Sequence, residues 1–132
     1  MTREEKVDKV LDFYIQLTGR TRLKKTTLAL RSGIKARLKE EYTVEDCMKV
    51  IRWKFDEWWE DDVMKKYFTP VTLFRPSHFA IYLCEAEENL EDVIKEKYEE
   101  FVEQIFETKQ RDKYVKFEEF KKRYLAGEVA DG

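Results

Sequence analysis

Met64-Lys65-Lys66-Tyr67-Phe68-Thr69-Pro70-Val71-Thr72-Leu73-Phe74-Arg75-Pro76-Ser77-His78-Phe79-Ala80-Ile81-Tyr82-Leu83 constrains the architecture of the chain more than any other segment. Its aromatic and leucine anchors make it too apolar for a solvated loop, and two prolines make it too punctuated for one helix. It therefore wraps onto a core, and Trp58, Tyr67, Pro70, Leu73 and Phe74 are expected to turn inward. Thr69-Pro70 reads as a cap with Pro at the first helical position, starting a short turn, and Pro76 can start a major helix in the same way. Upstream, Asp61-Asp62 opens another short turn that ends near Tyr67.

Working outward, apolar residues recur at helical spacing almost everywhere while Gly and Pro are scarce, which predicts an all-α single domain of five to seven helices. A first helix is expected over about Arg3 to Leu17, capped by Thr2, buried through Val7, Val10, Leu11 and Tyr14, and stopped by Gly19. A basic loop, residues 20–25, leads to a second helix of about Thr27 to Glu40. Thr43-Val44-Glu45-Asp46 is a capped start with carboxylates in the first turn. The third helix it opens presents Val44, Cys47, Met48, Ile51, Phe55, Trp58 and Trp59 on one broad face. From Phe79 the stripe Leu83, Ala86, Leu90, Ile94, Phe101, Ile105 keeps its phase across Asn89, so one long helix of roughly 30 residues is expected. A polar link, 107–113, precedes a last helix of about Phe117 to Leu125, stopped at Gly127. The tail after it is expected to fray. Residues 85–132 are read as a helical extension packed on 1–84 within the same domain.

The chain has 132 residues, 42% hydrophobic and 14% aromatic, enough for one domain with a real core. Charged residues reach 41% but nearly cancel, at −2. The balance is uneven: residues 1–84 carry 17 Lys/Arg against 13 Asp/Glu, and residues 85–132 carry 9 against 15. No signal peptide or membrane span is expected, and the two distant cysteines read as free thiols filling the core of a cytoplasmic protein.

Arg20, Arg22, Lys24, Lys25, Arg31, Lys35, Arg37 and Lys39 stand in an acid-free segment, residues 20–39. Arg31, Lys35 and Lys39 share one narrow arc of the second helix, joined by Lys24 if the helix or its entry reaches that far, apart from the Leu30, Ile34, Leu38 stripe. A row of cations on a rigid helix suits a phosphate backbone, without sequence readout. The competing reading is a solvated face paired with acids elsewhere. Arg37 lies beside the apolar stripe, so a structural pair with Glu45, Asp46 or another third-helix acid is expected. Trp53 points away from the main face of its helix, and is either a stacking or docking platform or a surface covered by the C-terminal helix. The long helix carries an acidic outer face, Glu91 and Glu99 included, which is either solvated or a protein contact. His78 has no neighbours for a metal site, no nucleotide loop or triad is visible, and neither an enzyme nor a cofactor is expected.

Val10-Leu11-Asp12-Phe13 with Thr18-Gly19, Ile34-Lys35-Ala36-Arg37-Leu38, Tyr42-Thr43-Val44-Glu45-Asp46, Val50-Ile51, Lys54, Glu57-Trp58, Met64, Tyr67, Pro70, Thr72-Leu73-Phe74, Phe79 and Tyr82-Leu83 together resemble the conserved C-terminal domain of phage replication proteins, the replisome organisers. Glu41 stands where the pattern expects Gly, Thr69 where it expects Arg, and no winged-helix region precedes the match. The resemblance implies a phage or prophage DNA replication accessory protein in the bacterial host cell. Such a protein contacts DNA and a replicative helicase or another replisome protein. The rival expectations are a protein-only module that modulates a host protein, and a small scaffolding oligomer.

Overall fold

The computed structural model describes residues 1–127. It is built of α1 (Arg3–Thr18), α2 (Leu28–Lys39), α3 (Val44–Trp58), the short α4 (Pro70–Leu73), the long α5 (Pro76–Thr108) and α6 (Phe117–Leu125), with 3-10 turns at Lys65–Tyr67 and Arg111–Lys113. The described residues contain no strand, and the expected all-α architecture is the one observed. The tail expected to fray lies outside the described residues.

Helix ends form where the side chains dictate. Thr2 and Thr43 each close a reciprocal capping box, with Glu5 and Asp46 respectively. Each box contributes about 1 kcal/mol by satisfying N–H groups that the first turn leaves without partners. Gly19 ends α1 at φ 72°, in the left-handed region. Thr69 Oγ1 accepts from Thr72 N, and Pro70 and Pro76 occupy helix starts where no N–H is needed. Asn89 does not break α5: its side-chain amide donates to the Glu85 carbonyl within the helix, which runs 33 residues, about 50 Å.

Two cores result. The larger is assembled from α1, Ile34, α3 and the wrapped segment, through Phe68, Leu73, Phe74, Phe79 and Leu83. The Tyr14 hydroxyl pins the wrap by donating to the Phe68 carbonyl at 2.6 Å. On α2, Gly33 lets the helix lie directly on Phe74, since a Cβ there would stand 2.9 Å from the Phe74 Cβ. The smaller core joins α5 to the antiparallel α6 through Leu90, Ile94, Phe120 and Tyr124.

Three expectations are corrected. Cys84 is exposed rather than core-filling, and only Cys47 is buried. Arg37 is buried, but its carboxylate is Glu40, the C-cap of α2, 3.1 Å from Nε, and not an acid of α3. Tyr67 lies outside the core, 46% exposed, while its neighbour Phe68 is fully buried in its place.

Candidate functional site

Acids on α1 meet the basic row. Glu4, Asp8 and Asp12 recur every fourth residue along the face of α1 that meets α2. Glu4 contacts Lys35 at 2.8 Å and Arg31 at 2.8 Å, Asp8 contacts Arg31 at 2.6 Å, and Asp12 contacts Lys25 at 2.7 Å. The Lys35 and Arg31 hydrogen bonds hold the Glu4 carboxyl below its ordinary value, and Asp8 and then Glu4 raise Arg31. Arg31 also donates to the carbonyls of Lys25 and Glu4, and its side chain is only 13% exposed. The expected uninterrupted row of cations facing water is therefore corrected to an interhelical ion-pair ladder.

Arg20 is likewise engaged: its Nη1 donates to Tyr14 Oη and to the Phe68 carbonyl, and its guanidinium lies 5.2 Å from the Trp59 ring centre. Arg22, Lys24 and Lys39 remain exposed with no carboxylate within ion-pair distance among the described residues. Arg22 and Lys24 lie in the α1–α2 loop and Lys39 at the far end of α2, so they form a pair and a separate cation rather than one line.

On another side of the molecule, α3 and α5 enclose an open cleft of about 770 Å³. From α3 and the turn that follows it the cleft receives Trp53, Asp56, Glu57 and Glu60, three or four residues apart, with Phe55 and Trp59 beside them. From α5 it receives Glu85, Asn89, Val93 and Lys97, one per turn. Trp53 is half-buried against the smaller core, and its indole N–H donates to Glu85 at 3.4 Å. Trp53 is thus covered in part, and it also forms part of the cleft wall.

Two buried cations support this wall. Lys54, 4% exposed, reaches Glu57 at 2.9 Å and Glu85 at 3.3 Å. Its ammonium lies 4.2 Å from the Tyr82 ring centre and 4.9 Å from that of Trp58. Arg52, 1% exposed, lies 3.9 Å from the Tyr124 ring centre and 3.5 Å from Asp56. Tyr124 donates to Asp56 as well, and burial first, then that bond, raises its hydroxyl pKa far above normal. Buried charges persist only when paired in this way. Sequence reasoning missed both cations; the available signals were the Arg52–Asp56 and Lys54–Glu57 spacings on one helix.

The remaining candidates are dispersed. Glu91 is tied to Lys121 at 3.3 Å, and Glu99 is exposed on the outer part of α5. The imidazole Nδ1 of His78 lies 3.1 Å from the Thr72 carbonyl. Trp58, Pro70, Leu73 and Phe74 are buried structural residues. Among the described residues no three His, Cys, Asp or Glu side chains are grouped to hold a metal ion, and no helix is long and apolar enough to cross a membrane.

The described residues thus form an all-helical domain with a wrapped aromatic core, an aromatic–acidic cleft, and a basic face partly neutralised by α1. The family model described as conserved phage C-terminus matches residues 10–84. That is more than half of the chain, and the protein belongs to this family of phage domains. No curated protein and no solved structure matches it.

Proposed function

We propose that this protein is a non-enzymatic accessory module of phage DNA replication that works chiefly by docking a replisome protein, a replicative helicase or its loader, in the cleft between α3 and α5. Membership of the phage family and the resemblance to replisome organisers support the pathway. The observation that carries the docking role is the cleft itself, with its aromatic walls and its carboxylates oriented by buried Lys54 and Arg52. Preorganised polar groups around an aromatic anchor site are what concentrate binding energy at an interface.

A second contact, to DNA, is supported by Arg22, Lys24 and Lys39, which have no acid partner. Neutralising two or three phosphates gives a log–log salt slope of only about −2 to −3, a weak and nonspecific grip.

A photocrosslinking side chain installed at Asn89, on the cleft, and separately at Arg22, in the basic loop, tests this order in infected cells. Nuclease-resistant capture of the helicase or loader from position 89 supports docking. Crosslinks to DNA from position 22, with none to protein from position 89, would make DNA the principal partner and reject the proposal.

A further inference from the structure

The chemistry of the cleft specifies what enters it. We infer that it receives an arginine of a basic segment of the partner protein, laid against Trp53 and bound by the carboxylates of Glu60 and Glu85. This rests on the docking role proposed above and adds the identity of the anchor.

Charge complementarity is the first ground. The cleft contains four carboxylates against the single ammonium of Lys97. The adjoining turns of α5 add Glu88, Asp92 and Glu96, all exposed. Lys54 and Arg52 offset part of this charge from behind the wall, but Glu60 has no ion-pair partner among the described residues. An incoming cation is drawn toward this side of the molecule, and an anionic strand is repelled from it.

Acceptor capacity is the second ground. Glu85 is held by Lys54 and by the Trp53 indole, and Asp56 by Tyr124 and Arg52. A carboxylate offers about four lone-pair positions, so the Lys54 and Trp53 contacts fix the orientation of Glu85 and leave acceptors for the ligand, and exposed Glu60 adds its own. A planar guanidinium with five donors in a fork matches such an array, and it stacks on indole faces better than a strongly hydrated ammonium does. The protein makes cation–ring contacts of this kind internally, with Arg52 on Tyr124 and with Arg20 on Trp59, whose ring Lys65 and Phe55 also cover.

The test uses the full chain and an acetylated, amidated pentapeptide, Gly-Arg-Ser-Arg-Gly, followed by tryptophan fluorescence at low ionic strength. A counterpart with citrulline replacing arginine keeps the shape and removes the charge. Saturable quenching by the arginine peptide alone is expected. Glu60→Lys should weaken binding about tenfold and Lys97→Glu should tighten it several-fold, while Glu103→Lys, further along α5, should change it less than about twofold. Equal binding of the citrulline peptide, equal weakening by Glu103→Lys, or displacement by a single-stranded oligonucleotide would overturn the inference. So would absence of binding. If position 89 still captures a replisome protein in that case, the docking role stands and only the arginine anchor fails.

Discussion

Glu41 joins α2 to α3 with φ 74°, a left-handed conformation that an L side chain adopts at a cost of about 1–2 kcal/mol. Glycine, which has no Cβ, adopts this conformation without that cost. Glu41→Gly should raise stability by about 0.5–1 kcal/mol, the relief of strain being partly offset by the greater freedom of glycine in the unfolded chain. A higher urea midpoint at unchanged slope would confirm it, and an unchanged midpoint would mean that the turn carries no strain. The two thiols also separate at this scale. Burial pushes Cys47 up to about 12, whereas exposed Cys84 is raised chiefly by its hydrogen bond to Glu88. A disulfide reagent at pH about 8 should label Cys84 alone in the folded protein. Glu88→Gln should speed that reaction by letting the thiol ionise more easily, and rapid labelling of Cys47 would contradict the packing.

At the scale of elements, the ladder between α1 and α2 governs the acid response. The Glu4 carboxyl is depressed below 4.5 in the folded state, so the unfolded chain takes up its proton first as pH falls. The stabilisation is complete above the unfolded pKa and is lost as pH falls through the lower folded value. Urea midpoints of the wild type and Glu4→Gln should therefore differ near pH 6 and converge toward pH 3; a constant difference would assign Glu4 a role independent of its charge. The ladder also shows what the sequence made legible and what it hid. Thr2, Thr43, Thr69, Pro70 and Pro76 act within a few residues of themselves, so helix starts could be read directly. The partners of Arg31 and Lys35 lie 23 to 31 positions away on another helix, and an acid-free window conceals them. The i, i+4, i+8 spacing of Glu4, Asp8 and Asp12 was visible, but only the antiparallel placement of α1 against α2 makes it a partner for the basic row. Lys54 and Arg52 were obscured for the converse reason: each pairs locally, but its burial depends on Tyr82 and Tyr124, from helices whose packing no periodicity reveals.

At the scale of the whole molecule, the two cores differ in the contacts that hold them. The large core is closed by many buried side chains from α1 to the first turns of α5, whereas four buried residues, Leu90, Ile94, Phe120 and Tyr124, define the smaller one. A unit secured by fewer buried groups opens at lower free energy than the whole. Hydrogen exchange should therefore show the amides of α6 and of the outer half of α5 opening before those of α1 and α3 as denaturant is added. Phe120→Ala removes a fully enclosed ring at a cost of about 3–5 kcal/mol to the unit that contains it. It should deprotect Phe117–Leu125 while α1 and α3 stay protected. Trp53 and Asp56 link this outcome to function, because the first packs on the smaller core and the second is held by Tyr124. Loosening α6 should therefore reduce arginine-peptide binding in the cleft even though no cleft residue has changed. Simultaneous loss of protection in α1, α3 and α6 would instead make the molecule a single cooperative unit, with a cleft no more mobile than the rest of the fold.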